Sequence, residues 1–224
     1  MRKRNIALIL AASMMATFAF GGTTAFAAEE GETDSVTVGI MADPENMGPW
    51  SGMSMGRIAV LFTTYEYLIT REDGVAYGVL AKSWDEVDPK TYDVELYDYI
   101  HDAEGNPLTA SDVVFSFESA IATKNYGKLS VIDSVTATDD YHVEFKFNKD
   151  LEIGEFENVM LECAIVTQAA YEASPDQMAT TPVGTSAYLV DSYVPGSEIV
   201  MKDTGDYWQT DESLVHGTSI HNVG

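Results

Sequence analysis

The sequence predicts an α/β fold in which antiparallel strands form two separate sheets with short helices packed on them. Three observations predict it. Apolar residues alternate along residues 91–96 (TYDVEL), and alternate again on both sides of Thr138-Asp139-Asp140 and of Pro195-Gly196, as hairpins do. Val113, Phe117 and Ile121 recur four apart, which marks a helix over residues 111–123. Turn-forming stretches, ADPENMGPWSG at 42–52 and DAEGNP at 102–107, punctuate the pattern. Strands near 36–41, 184–194 and 198–202 are expected to share one sheet. Strands near 91–96 and 131–147 are expected to form a separate antiparallel layer with helix 111–123 against it.

The elements follow in chain order. Residues 1–27 read as an export signal: Arg2, Lys3 and Arg4 precede an apolar run at 6–20, and Ala25-Phe26-Ala27 places the cut before Ala28. The run is too short to cross a bilayer as a stable helix, so no direct membrane insertion is expected after cleavage. Residues 28–35 are an acidic linker, and Val36, Val38 and Ile40 alternate in the first strand. Residues 57–68 (RIAVLFTTYEYL) set Ile58, Leu61, Phe62 and Tyr65 at helical spacing. Thr109 is the expected N-cap of the next helix, with the Asp112 carboxylate near its positive end. Residues 151–173 are expected to hold two short helices and a buried strand near 164–167, and residues 209–224 carry no periodicity.

Composition excludes several classes. Three of the 12 basic residues and none of the 36 acidic ones precede Ala28, so the remaining 197 residues carry a formal charge of −27. Such a surface disfavours nucleic acid and anionic membranes, which require basic patches. The single cysteine, Cys163, sits in the apolar stretch LECAIV. It allows no internal disulfide, no cysteine follows the signal to take a lipid, and its expected role is that of a small buried apolar residue. The expected location is periplasmic, extracellular or at the cell surface.

GMSMG at 52–56 matches the Gly-x-Ser-x-Gly of serine hydrolases, which would make Ser54 a nucleophile. The preceding PENMGPWS cannot be the strand that such an elbow needs, so the sequence argues against that chemistry. Met41, Met47, Met53 and Met55 bring four thioethers into 15 residues, a soft donor set that suits Cu(I). Their spacing follows no ligand rule, and adaptable apolar packing is the expected role. His101, His142, His216 and His221 form no ligand-spaced cluster. No pair of carboxylates stands out for glycoside hydrolysis, and neither P-loop, Rossmann glycines nor EF-hand is present. Neither a metal nor a cofactor is expected.

Several blocks, in order from about residue 36 to 208, resemble the family 5 extracellular solute-binding proteins of ABC importers. They are VTVGIMADPENMGPW, TYEYLITREDGVAYGVLAKSWDE, YDVELYDYIHDAEGNPLTASDVVFSFESA and PVGTSAYLVDSYVPGSEIVMKDTGDYW. Met47-Gly48-Pro49 stands where the family usually has Leu-Asp-Pro, and Ser186-Ala187 replaces its Gly-Pro. The resemblance implies a periplasmic-binding-protein-like fold of the type II, oligopeptide-binding class. Residues 36–208 correspond to its N-terminal lobe, a mixed sheet plus a smaller antiparallel subdomain, without the second lobe. It also implies a binding protein rather than an enzyme, one that captures a peptide or other small molecule for an ABC permease in the membrane. A secreted hydrolase using Ser54 and a nonfunctional lobe fragment are the alternatives. By the same resemblance, the loop holding GMSMG runs along the ligand cleft. Trp50, Met53, Ser54, Met55, Tyr126, Gly184, Thr185 and Ser186 are then the expected ligand-binding residues, on one solvent-open face. Ser54 can equally cap the following helix.

Overall fold

The computed structural model describes residues 39–215. The export signal at 1–27, the linker at 28–35, the first three positions of the expected strand at 36–41, and residues 216–224 lie outside the described residues. The elements are α1 (Ile58–Thr64), β1 (Ile69–Glu72), β2 (Val75–Gly78), β3 (Ala81–Asp88), β4 (Thr91–Leu96), α2 (Ala110–Thr123), β5 (Ile132–Ala137), β6 (His142–Phe147), α3 (Glu155–Met160), α4 (Gln168–Ala173), β7 (Tyr188–Val194) and β8 (Glu198–Asp203). Short 3-10 turns occupy Gly127–Val131 and Glu212–Leu214.

The main layer is the antiparallel sheet β3-β4-β6-β5. Period-two alternation in β4 buries Tyr92, Val94 and Leu96, and the register sets Tyr92 opposite Phe145 and Val94 opposite Val143. The four-residue repeat of α2 buries Val113 and Phe117 on this face, where Phe117 meets Phe145 edge-on with ring centroids 4.9 Å apart. Each such side chain, fully buried, stabilises the fold by about 1.5–3 kcal/mol. The layer therefore forms where the alternation placed it.

One carboxylate starts two helices. Asp112 Oδ2 accepts the Thr109 N–H at 2.8 Å at the head of α2, while its Oδ1 accepts the Gln168 N–H at 2.8 Å at the head of α4. Cys163 is fully buried, and desolvation pushes its thiol well above the ordinary range. No helix among the described residues is long and apolar enough to cross a membrane.

The structure departs from the sequence expectation in three places. The helix expected over 57–68 stops at Thr64, because Tyr65 turns extended and Glu66 forms an antiparallel bridge with Ile165. The hairpin β1–β2 and the edge strand β3 were not expected; along β3 only Ala81 is buried, so its residues lack the alternation of a strand with one covered face. Finally, β7 and β8 pair only with each other, and residues 39–41 lie outside any strand, so the expected three-stranded sheet reduces to this hairpin among the described residues.

Candidate functional site

The loop from Met47 to Arg57 is fixed from beneath and from both ends. Met47 is fully buried, and Trp50 is 4% exposed with its indole N–H donating to the Ala164 carbonyl at 3.0 Å. Its ring lies 4.9 Å from Tyr171 and 5.7 Å from Phe115. Asn125 Nδ2 donates to the Trp50 carbonyl at 2.9 Å, and the Tyr126 hydroxyl donates to the Pro49 carbonyl at 3.4 Å. Burial raises the Tyr126 pKa, which keeps the phenol a donor at neutral pH. The Tyr65 hydroxyl holds the Met47 carbonyl at 3.0 Å. From the other side, the Arg57 guanidinium donates to the carbonyls of Pro44 (3.0 Å), Asn46 (2.9 Å) and Ser51 (2.9 Å). What remains exposed on this anchored loop is Met53, Ser54 and Met55.

Ser54 enters a helix rather than ending a strand. Its Oγ accepts the Arg57 N–H at 3.3 Å, and its carbonyl accepts the N–H groups of Arg57 at 3.0 Å and Ile58 at 3.1 Å. No strand precedes it among the described residues. His101 Nδ1 lies 3.1 Å from the Asp102 carbonyl and His142 Nδ1 lies 3.0 Å from both Asp139 oxygens, and the Ser54 hydroxyl is hydrogen-bonded to the Arg57 N–H rather than to either ring. His216 and His221 fall outside the described residues. The elbow geometry that a serine nucleophile requires is not built here.

The expectation of one solvent-open face needs correction. Trp50 and Tyr126 (8% exposed) come together, but as the floor of the loop. Gly184, Thr185 and Ser186 are buried as well. The reason is close packing: a Cβ at Gly184 would stand 2.0 Å from the Thr64 carbonyl oxygen and 3.0 Å from the Tyr65 ring. The Gly184 carbonyl also accepts the Ala103 N–H at 3.0 Å, joining this strand entry to the DAEGNP turn. Thr185 Oγ1 and Thr64 Oγ1 are buried without a partner among the described residues. Of the eight residues, only Met53, Ser54 and Met55 face solvent.

Sequence reasoning missed Arg57, Asn125 and Glu66. The first two are surface-type residues whose work, clamping carbonyls, leaves no periodic trace. Glu66 is buried, and its carboxylate accepts the Tyr207 hydroxyl at 2.6 Å and the Trp208 indole N–H at 2.8 Å. It thereby joins the YEYL block to the DYW block. No three His, Cys, Asp or Glu side chains converge among the described residues.

Comparison with known proteins agrees with this architecture. Residues 76–221 match the family described as Bacterial extracellular solute-binding proteins, family 5 Middle. The nickel-binding protein NikA of Staphylococcus aureus is 30% identical over 151 residues, covering 66% of this chain and 30% of the relative. Di/tripeptide-binding protein 3 of Pseudomonas aeruginosa is 25% identical over 187 residues, covering 69% and 34%. The crystal structure of the ABC transporter substrate binding protein CtaP of Listeria monocytogenes is similar with a TM-score of 0.64 at 29% identity, over 75% of this chain and 36% of that one. The chain spans about a third of the length of the curated relatives it matches. On the family match and the shared fold together, the chain belongs to the bacterial extracellular solute-binding proteins of family 5.

Proposed function

We propose that the chain serves as the extracytoplasmic binding component of an ABC importer, capturing peptides or similar small solutes and handing them to a membrane permease without covalent chemistry. The observation that carries this reading is the family match over 76–221. Relatives named for nickel and for di- and tripeptides bracket the ligand class. The anchored loop supplies the contact surface. Met53 and Met55 offer adaptable apolar contact, and the Ser54 hydroxyl, which receives the Arg57 N–H, can still donate its proton to a ligand carbonyl. Trp50 and Tyr126 hold that loop from below. Gly184 acts at one remove, by setting the packing of Thr64 and Tyr65 beneath the loop, with Thr185 and Ser186 buried next to it in the chain.

Calorimetry of the chain against di- to pentapeptides, Ni(II) and simple sugars tests the reading. A saturable heat with one ligand class, weakened by Ser54→Ala and by Met53→Ala, is the expected result. No heat with any class would favour a fragment that keeps the fold without the function. Ester hydrolysis abolished by Ser54→Ala would replace the binding reading with a hydrolase.

A further inference from the structure

Of the four methionines within residues 41–55, only Met47 packs as the sequence led us to expect. Met41, Met53 and Met55 are 85%, 50% and 64% exposed. They belong to one lip of the molecule. The backbone of Ala42 and Asp43 lies against Gly56, where an added Cβ would stand 2.5 and 2.6 Å from their carbonyl oxygens. Met41 and Met55 flank that contact directly, and Met53 is two residues from Met55 on the same exposed stretch. Because the loop is held by Met47, Trp50 and Arg57, Met53 and Met55 are presented on anchored backbone, and the close approach of Ala42 to Gly56 brings the Met41 segment beside them.

Two of the other donors near the lip, Asp43 and Cys163, are engaged or buried. Both Asp43 oxygens are in use: Oδ1 accepts the Tyr193 hydroxyl and the Glu45 N–H, and Oδ2 accepts the Gly196 N–H. Cys163 is buried, with its thiol pushed well up, and offers no thiolate. The Arg57 charge is spread over three carbonyls, and the carboxylates of Asp43 and Glu45 stand on the same segment as Met41. Thioethers are neutral, soft and untitratable in water, so they select Cu(I)-like cations over Ni(II), Zn(II), Mg(II) or Ca(II). We propose that Met41, Met53 and Met55 form a three-thioether site for a soft monovalent cation, Cu(I), with Ag(I) as its redox-inert surrogate. The site does not depend on the peptide-capture reading.

The test is competition of the full chain against a chromophoric Cu(I) chelator under anaerobic, reducing conditions, with Ag(I) titrated in parallel into methyl-labelled methionine for NMR. One equivalent should bind, shifting the methyls of Met41, Met53 and Met55 while those of Met47 and Met178, both buried, stay in place. Each of Met41→Leu, Met53→Leu and Met55→Leu should weaken Cu(I) at least about tenfold, since even outer-shell changes at metal sites cost that much. Leucine conserves volume and spares the fold. Affinity should be flat across neutral pH, as histidine ligation would not be. Cys163→Ala and the double replacement of Met14 and Met15 by Leu should leave it unchanged. If the triple Leu variant draws copper from the chelator as well as the unaltered chain, or if other methyls shift, the site does not exist.

Discussion

Replacing Asp102 by Ala should destabilise the fold by about 3 kcal/mol, a large share of the roughly 5–15 kcal/mol that holds a domain together. Asp102 is 2% exposed and forms no ion pair among the described residues. Its Oδ1 accepts the N–H groups of Glu104 (2.9 Å) and Asn106 (3.0 Å). Its Oδ2 accepts Asn106 Nδ2 at 2.9 Å and the Thr167 hydroxyl, and Thr167 in turn caps α4 by accepting the Ala170 N–H. Hydrogen bonds to a charged acceptor contribute about 1.5–3 kcal/mol each, but the amide of exposed Glu104 regains water when the acceptor leaves. The Thr167 hydroxyl is buried and the Asn106 amide partly so, and these two set the magnitude. Asp102→Asn keeps Oδ1 and loses only the acceptor facing Thr167 and Asn106, so about half the effect is expected. Urea unfolding reads the difference: at a slope of about 1–3 kcal/mol per molar, the midpoint of the Ala variant should fall by about 1–3 M. Hydrogen exchange at the Ala103 amide, which donates to Gly184, should accelerate in the same variant. An Ala variant within about 0.5 kcal/mol of the parent would refute the claim that this carboxylate organises the turn.

Gly184→Ala drives a Cβ to 2.0 Å from the Thr64 carbonyl, and overpacking of this kind costs about 1–3 kcal/mol or more, so a thermal melt should fall by several degrees. Trp50→Phe deletes the donor to the Ala164 carbonyl and should cost about 1–2 kcal/mol in denaturant titration. Ser54→Ala should leave stability within about 0.5 kcal/mol, since Ser54 is exposed and its backbone carbonyl also receives Arg57 and Ile58; a larger loss would make its hydroxyl a true cap. His142 has its pKa raised, chiefly by the hydrogen bond to Asp139, whose own pKa is lowered by the Tyr141 amide and by His142. The imidazolium contribution is therefore fully present below the ordinary histidine value and fades as pH rises through the raised one. NMR titration of the His142 ring should show the raised midpoint, and His142→Gln should remove the corresponding slope from the pH dependence of the melt.

Periodicity made the sheet layer legible. The alternation at 91–96 and around Thr138 to Asp140, with the repeat of α2, became β4, β5–β6 and the helix upon them, because each has one face in the core and one outside. β3 lacked that contrast, as an edge strand whose side chains are mostly solvated has little apolar pattern to show. The β1–β2 hairpin did carry a signal: Asp73-Gly74 takes positive φ at both residues, the turn chemistry that a two-residue loop demands. The expected helix over 57–68 overruns α1 by four residues at its C-terminal end because Tyr65 keeps the helical spacing while turning out of the helix. For the site, the resemblance located the loop, but burial was invisible to it. Trp50 and Tyr126 are large residues with a polar tip, equally suited to line a cleft or floor a loop, and only their hydrogen bonds to backbone carbonyls decide between the two.

The blocks that carried the family resemblance are linked in space by polar contacts that no local pattern encodes. Glu66 reaches Tyr207 and Trp208 from 141 and 142 positions away. Asp112 ties α2 to α4, which lies between two blocks, across 56 positions, and Ala103 of the same block donates to Gly184 of the last one. A buried carboxylate without hydrogen-bond donors would be costly, so Glu66 constrains the residue types facing it to a phenol and an indole, while half-buried Asp112 takes a free helix N–H. Such constraints act between blocks, which is why weak matches taken one at a time became specific in their order. The Gly184 contact also supports the exposed loop. Gly184 packs on Thr64 and Tyr65, and Tyr65 holds the carbonyl of Met47. The position of Met53, Ser54 and Met55 is thus set by residues from the far end of the chain, and changes at Gly184 should alter ligand or cation binding at that loop without touching either.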